Sequence, residues 1–355
     1  MKNVLVVGAD MTNNGGIASV VKTLYKESLD NLDYFGINYI LLKTGLYKDG
    51  NKFLNVFTLF LALTKYCYIV LSRSIDIVHI HTSHGFSFYR KTVFIILSKL
   101  FAKNIVLHFH ASSFIEFFIP TNSIKKLIFG NVLKIPNANI VLCNEWKNAL
   151  ENNYDINNVI IIPNPISNSD PNRILRNNSN CDLNVLFVGF LIKTKGVIDL
   201  LEVAKNLEDE KIFFTIAGKG ELQGQITSAK LRNVKYVGWA NEINKRSLLE
   251  NNDVLFLPSY KEGMPISILE GMNSGLAIIS TKIAGIPDVV REGRNGYLFK
   301  PGDINGMSEA FRKLNNNKKK LQEIKNNNLI DIEKYNVKLI LTQIKDLYDR
   351  LVVTK

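Results

Sequence analysis

The 355-residue chain holds only three cysteines, Cys67, Cys143 and Cys181, far apart and with neither metal-ligand nor redox spacing. That scarcity excludes a disulfide framework and points to a reducing compartment. No Asp-x-Asp pair occurs, so no acidic doublet of the kind that clasps a divalent ion presents itself. A GxGxxG run is missing too, which removes the dinucleotide fingerprint. The opening MKNVLVVGAD enters a strand directly, with no small-residue cleavage site after a long apolar core. No signal peptide is expected, and the expected location is the cytoplasm. One long apolar run, 53–71 (FLNVFTLFLALTKYCYIVL), has the length of a membrane crossing, but Lys65 interrupts it and a strand-like DIVHI follows. A buried or half-buried helix of an α/β domain is expected there.

What the chain does contain is the composition of a globular protein, 46% apolar and 21% charged, long enough for about two domains. Net charge is +12, from 44 basic and 32 acidic residues. The bias is concentrated in 90–150, where 8 basic residues face 2 acidic ones around Phe114, Phe117 and Phe118. Such a segment suits docking on an anionic membrane, or an ordinary solvated face. Nucleic acid is not an expected partner, because no binding motif accompanies the charge.

Strand-length apolar runs alternate with helical stretches. The runs fall at 3–7, 37–42, 76–80, 104–109, 139–143 and 159–162, then at 184–188, 212–217, 234–237, 253–257 and 276–280. This alternation predicts an α/β fold of two Rossmann-like domains with parallel sheets, facing each other across a cleft. A Pro-, Asn- and Ser-rich stretch, PNPISNSDPNRILRNNSNCDLN, reads as the linker between them. The expected domains are 1–164, 165–335 and a terminal helical segment 336–355.

The segment PSYKEGMPISILEGMNSGLAIISTKIAGIPDVVREGRNG places Glu262 and Glu270 eight positions apart, on either side of Gly263-Met264-Pro265. A helix starting near Pro265 leaves Glu262 in the loop at its N-terminus and Glu270 near its far end. The free N–H groups and positive dipole end would receive a phosphate over Gly263, Met264 and the first turn, and each ionised carboxylate would accept from a diol. Upstream, Lys195 precedes Gly196 at a helix start, where an ammonium can meet a diphosphate. A glycine turn, Ala217-Gly218-Lys219-Gly220-Glu221, follows a later strand; its bareness allows close backbone approach, or simply a tight turn. All five histidines fall in 79–110, and alternation puts His79 with His81, and His108 with His110, on one strand face each. Cleft histidines, structural histidines and a zinc cluster are all open on that pattern, although no Cys or carboxylate completes a metal site there.

Glu262 and Glu270 with Pro258, Gly263, Pro265 and the later Ala284-Gly285-Ile286-Pro287-Asp288 resemble the donor-site signature of retaining glycosyltransferase family 4, whose fold is GT-B. The resemblance covers most of the chain, with its specific motifs in 189–296. It implies an enzyme that moves a sugar from a nucleotide-diphosphate donor to an acceptor hydroxyl, a glycan or a lipid-linked precursor of capsule or O-antigen type. It needs neither metal nor other cofactor, and peripheral attachment to the inner membrane face fits the acceptor. By resemblance Glu262, His110 and Lys195 carry the chemistry. Glu270, Gly263, Met264, Pro265 and Gly218 hold the donor, and Gly15-Gly16 approaches the acceptor. A Phe, Phe190, stands where the family carries an arginine, and Lys193 is the candidate substitute. Two other readings accompany this one: a non-hydrolysing sugar-nucleotide 2-epimerase, and a non-catalytic nucleotide-sugar-binding partner.

Overall fold

Parallel pairing dominates the described residues, which in this computed structural model are 1–8, 16–44, 52–167 and 182–353. One sheet is built from β1 (Lys2–Val7), β2 (Ile37–Leu42), β3 (Ile77–Thr82), β4 (Asn104–Phe109), β5 (Ala138–Val141) and β6 (Val159–Ile161) in the order β2-β1-β3-β4-β5-β6. A second sheet contains β7 (Leu183–Phe190), β8 (Ile212–Lys219), β9 (Val234–Gly238), β10 (Val254–Leu257), β11 (Ala277–Thr281) and β12 (Gly296–Phe299) in the order β12-β11-β10-β7-β8-β9. Every described pair in both sheets is parallel. β3 and β4 are buried along their whole length, as strands are when helices cover both faces of a sheet.

The chain divides into two compact units, Met1–Ser167 with Asn336–Lys355, and Asn168–Tyr335. The last helix, Val337–Val353, packs in the first unit. Asn104 Nδ2 donates to its Leu351 carbonyl at 2.9 Å, and Val337 N donates to Ile166 O at 2.9 Å. Strand order reverses once in each sheet, between β1 and β3 in the first and between β7 and β10 in the second. In doubly wound folds that reversal opens a crevice at the carboxyl ends of the strands.

Three differences from the sequence reading have physical causes. β12 was not anticipated: it is a four-residue strand, GYLF, and its three apolar residues are too short a run to announce it. Phe114 and Phe118 are core residues, 1% and 0% exposed, so they offer no membrane surface. They pack edge-on with Phe109, and Phe114 stacks on Trp146 at 4.3 Å. The 53–71 run forms the helix Lys52–Ser72, but only 22% of its 18-residue apolar window is buried, less than expected.

Candidate active site

The chemistry-bearing residues of the second unit gather where its sheet reverses. β7 runs into the short turn Lys193–Lys195 and then, through Gly196, into the helix Val197–Asn206. Its neighbour β10 runs through residues 258–265 into the helix Ile266–Asn273. Because the two strands are adjacent, their loops touch: the amides of Tyr260 and Lys261 both donate to Thr194 O, at 2.8 and 3.3 Å. Gly196 has φ +71°, and a Cβ there would lie 1.9 Å from Pro258 O. Only glycine lets the loops close in this way.

At this junction Lys195 Nζ donates to Glu262 Oε1 at 2.6 Å, and Ser259 Oγ donates to the same oxygen at 2.8 Å. The Glu262 side chain is 5% exposed, so its charge needs these donors. Both bonds fall on Oε1, which leaves Oε2 acceptor capacity for a ligand hydroxyl. Thr281 Oγ1 holds the Ser259 carbonyl at 2.6 Å, and the Tyr260 hydroxyl donates to Asp199 Oδ2 at 2.9 Å. Burial and the Asp199 and Glu202 carboxylates raise the Tyr260 pKa, keeping it a donor. The Ile266–Asn273 helix starts at Pro265 with no side-chain cap; Ile268 N donates to Pro265 O at 3.1 Å, which leaves the N–H groups of Ile266 and Ser267 to meet an anion. Met264 and Pro265 face inward, whereas Gly263 is half-buried, so of these three residues Gly263 has the backbone open to a ligand.

Glu270 lies within that helix and accepts from Lys245 Nζ at 2.6 Å, again through Oε1. Lys245 comes from the helix Glu242–Glu250, whose N-cap Asn241 accepts from Asn244 N. At Lys245 burial works against the charge and is outweighed by Glu270 and Glu242, so its pKa is raised and the ammonium persists. Burial pushes the Glu270 carboxyl up, opposed by Lys245. Lys245 and Ser259 were missed in the sequence because neither stands at a turn glycine or a recognisable spacing. A second missed group is aromatic. Phe190, 40% exposed at the end of β7, lies 5.7 Å from Trp239, which is 42% exposed just beyond β9. Lys219, paired with Phe190 across β7 and β8, places its Nζ 4.7 Å over the Trp239 ring. Lys193 is exposed in its turn. Gly218 lies inside β8, and a Cβ there would meet Gly189 O at 2.0 Å, so the neighbouring strand by itself accounts for glycine at this position.

The remaining candidates belong to the first unit. Gly15 lies outside the described residues, and Gly16 opens the helix Gly16–Asp30. His110, just past β4, shares a hydrogen bond between its Nε2 and His81 Nδ1 at 2.9 Å. His79 Nδ1 meets the Tyr348 hydroxyl at 2.5 Å and its Nε2 meets His108 Nδ1 at 3.3 Å. Burial holds His79 and His110 down to about 3, and His81 and His108 well below the usual imidazole range. The cluster is therefore neutral near pH 7. His79, His81 and His108 bring ligand atoms within 4.8 Å of one another, so the zinc reading keeps a geometric basis. Yet the His79 ring lies 14° from the plane of His81 and 18° from that of His108, and parallel rings do not aim three lone pairs at one point. Zinc would require the rings to turn.

Comparison with known proteins bears on the same region. Residues 176–329 match the family model for glycosyl transferases group 1. An uncharacterised 41.2 kDa protein of the Klebsiella pneumoniae cps region is 26% identical over 84% of this chain and 87% of its own length. The UDP-Gal:alpha-D-GlcNAc-diphosphoundecaprenol alpha-1,3-galactosyltransferase of Escherichia coli is 31% identical over 47% of this chain and 46% of its own. In fold, Anabaena HepE, solved in complex with UDP, superposes with a TM-score of 0.72 at 18% identity, over 99% of this chain and 100% of that one. These relationships speak for group transfer over the epimerase reading. The two parallel sheets, the strand reversal that carries Lys195 and Glu262, and the matched C-terminal unit together make this chain a glycosyltransferase enzyme of the GT-B fold.

Proposed function

We propose that the protein is a retaining, metal-independent hexosyltransferase of family 4 that takes its sugar from a uridine-diphosphate donor and passes it to a hydroxyl of a lipid-linked surface glycan. The observation that carries this reading is the Lys195–Glu262–Ser259 cluster at the strand reversal, beside an uncapped helix N-terminus. The donor's diphosphate lies between the Lys195 ammonium and the first N–H groups of the Ile266–Asn273 helix. Glu262 Oε2 accepts from the sugar hydroxyls and Glu270 Oε2 from the ribose diol. As the anomeric carbon's bond to the diphosphate oxygen breaks, the acceptor oxygen bonds to that carbon on the same face. The acceptor proton passes to the departing phosphate oxygen, so no protein nucleophile is required. Charge building on the diphosphate is met by groups already in place. Neutral His110 suits a polar contact to the sugar, and Gly15-Gly16 the acceptor side.

The named substrates of the Escherichia coli relative support a UDP donor and an undecaprenol-linked acceptor. An acceptor of that kind agrees with a cytoplasmic protein held at the inner membrane face. The test is nucleotide release and product analysis over a panel of UDP-hexoses with a polyprenol-diphosphate sugar. The expected result is one preferred donor and a product linkage with the donor's anomeric configuration. An inverted linkage overturns the retaining assignment. Binding without turnover or donor hydrolysis returns the chain to a non-catalytic partner.

A further inference from the structure

The first unit presents an apolar surface that no described residue covers. In the helix Lys52–Ser72 the inner face is Ala62, Tyr66, Ile69 and Val70, all buried. Its opposite face carries Phe57, Phe60, Leu61, Tyr68 and Leu71, all exposed, with Leu71 at 72%. The helix Phe86–Leu100 repeats the arrangement: Phe88, Phe94 and Ile95 point inward, and Phe86, Tyr89, Val93, Ile96 and Leu100 outward. Their spacing of three, four, three and four is that of one helical stripe, here turned to the outside. Phe86 is 84% and Leu100 74% exposed.

The two helices are neighbours, since the Tyr66 hydroxyl meets Ser98 Oγ at 2.6 Å and its ring lies 5.4 Å from that of Phe94. A third helix, Ser123–Leu133, adjoins the second through Phe129, 5.1 Å from Phe88, and exposes Ile124, Leu127 and Ile128. Apolar side chains thus run across three adjacent helices of one unit, far beyond the isolated exposures of an ordinary soluble surface.

Charge selects the occupant. Residues 52–134 contain 10 Lys and Arg, of which Lys91 is buried, against two acidic residues, Asp76 and Glu116. Lys65 and Lys99 are exposed on the helices themselves, and Arg73 is exposed just past the first. Apolar stripes flanked by long cationic side chains are what a helix needs to lie in the headgroup layer of an anionic bilayer, the stems in contact with acyl chains and the ammonium groups outward. A second copy of the same face would set cations against cations across the contact. We propose that the helices Lys52–Ser72, Phe86–Leu100 and Ser123–Leu133 form a docking face that rests on anionic lipid, lying in the interface rather than crossing it. This goes beyond the donor-site reading and does not depend on it.

Co-sedimentation with vesicles of phosphatidylcholine, with and without phosphatidylglycerol, tests the face. The protein should bind the anionic vesicles, bind the neutral ones far less, and release in high salt. The double variant Phe60→Glu/Ile96→Glu, which changes two exposed positions on adjacent helices, should lower the partition coefficient by about tenfold or more. Lys65→Gln/Lys99→Gln should lower it on anionic vesicles alone. Thermal midpoint and UDP affinity, unchanged in both variants, report that folding and the donor site are intact. No vesicle binding at low salt, equal binding to both lipids, or full binding by the Glu variant overturns the proposal. So does a dimer that the Glu variant dissociates, which makes the face a self-contact. Resistance of the membrane-bound protein to alkaline extraction would replace lying with spanning. Failure of UDP to bind the wild-type protein would count against the donor-site reading and leave this inference untouched.

Discussion

The two units bury titratable side chains in opposite ways. In the first, four imidazoles share a strand face with no described carboxylate paired to any of them, and burial strips them of charge. In the second, Glu262 is buried and Glu270 half-buried, and each accepts from a lysine at hydrogen-bond distance. The difference is countercharge: burial acts unopposed on the imidazoles, whereas at Glu270 a lysine within about 3 Å opposes it. A neutral polar face suits a sugar, and lysine–glutamate pairs suit a diphosphate and its hydroxylated flanks.

Removing one partner breaks the paired arrangement most severely. Lys195→Ala leaves Glu262 buried with Ser259 as its described donor, at a cost of about 3–5 kcal/mol, and turnover should fall by about 10²–10³. Thermal unfolding and nucleotide release measure the two effects; a variant of unchanged rate removes Lys195 from the chemistry. Glu262→Gln, which keeps shape, should depress turnover more than UDP affinity.

Acid attacks the neutral arrangement instead. A buried imidazole with a pKa of about 3, against an ordinary 6.5, gains its proton only on unfolding throughout that interval. Unfolding is therefore favoured as pH falls through 6.5, by up to about 1.4 kcal/mol per pH unit for each histidine, and the loss stops growing below about 3. The thermal midpoint should drop between about pH 7 and about pH 5. His108, whose Nε2 is buried without a partner, is the place to test this: His108→Phe should flatten the slope. An unaltered slope would mean that other groups govern it.

Smaller effects sharpen the donor side. Glu270→Ala should weaken UDP binding by about 1.5–3 kcal/mol, read by calorimetry, if the ribose diol donates to it as proposed. Trp239→Ala should cost about 1–3 kcal/mol if the base stacks there. The chain has two tryptophans, and Trp146 is buried in the first unit, so quenching of fluorescence by UDP reports on Trp239. UDP that binds without quenching argues against stacking. The smallest expected effect is none: EDTA should leave activity intact if Lys195 and the helix N-terminus meet the diphosphate as proposed. Loss of activity restored by Mg²⁺ would refute that, and stoichiometric zinc would return attention to the histidines.

Eleven of the twelve described strands were legible as apolar runs because a parallel sheet covered on both faces needs continuous apolar sequence, and β12 was not because its run is only three residues, Tyr297–Phe299. Glu262, Glu270, Lys195 and Gly196 could be read because helix ends and glycine turns leave local signatures. Their partners could not. Lys245 lies 25 positions from Glu270, and nothing local distinguishes it from other exposed-looking lysines. Phe114 and Phe118 show the converse error, since basic neighbours in sequence suggested a surface that packing against Phe109 and Trp146 denies.

By itself, then, the sequence determined the parallel α/β architecture, the loop and helix that carry the two glutamates, and the lysine before Gly196, all of which depend on residues close together along the chain. Tertiary structure alone decided that Lys195 pairs with Glu262 and Lys245 with Glu270, that four histidines share one neutral cluster, and that the helical stripe at 86, 89, 93, 96 and 100 faces outward. Periodicity specifies that a helix has an apolar face; only the packing of the helix on its sheet fixes which way that face turns.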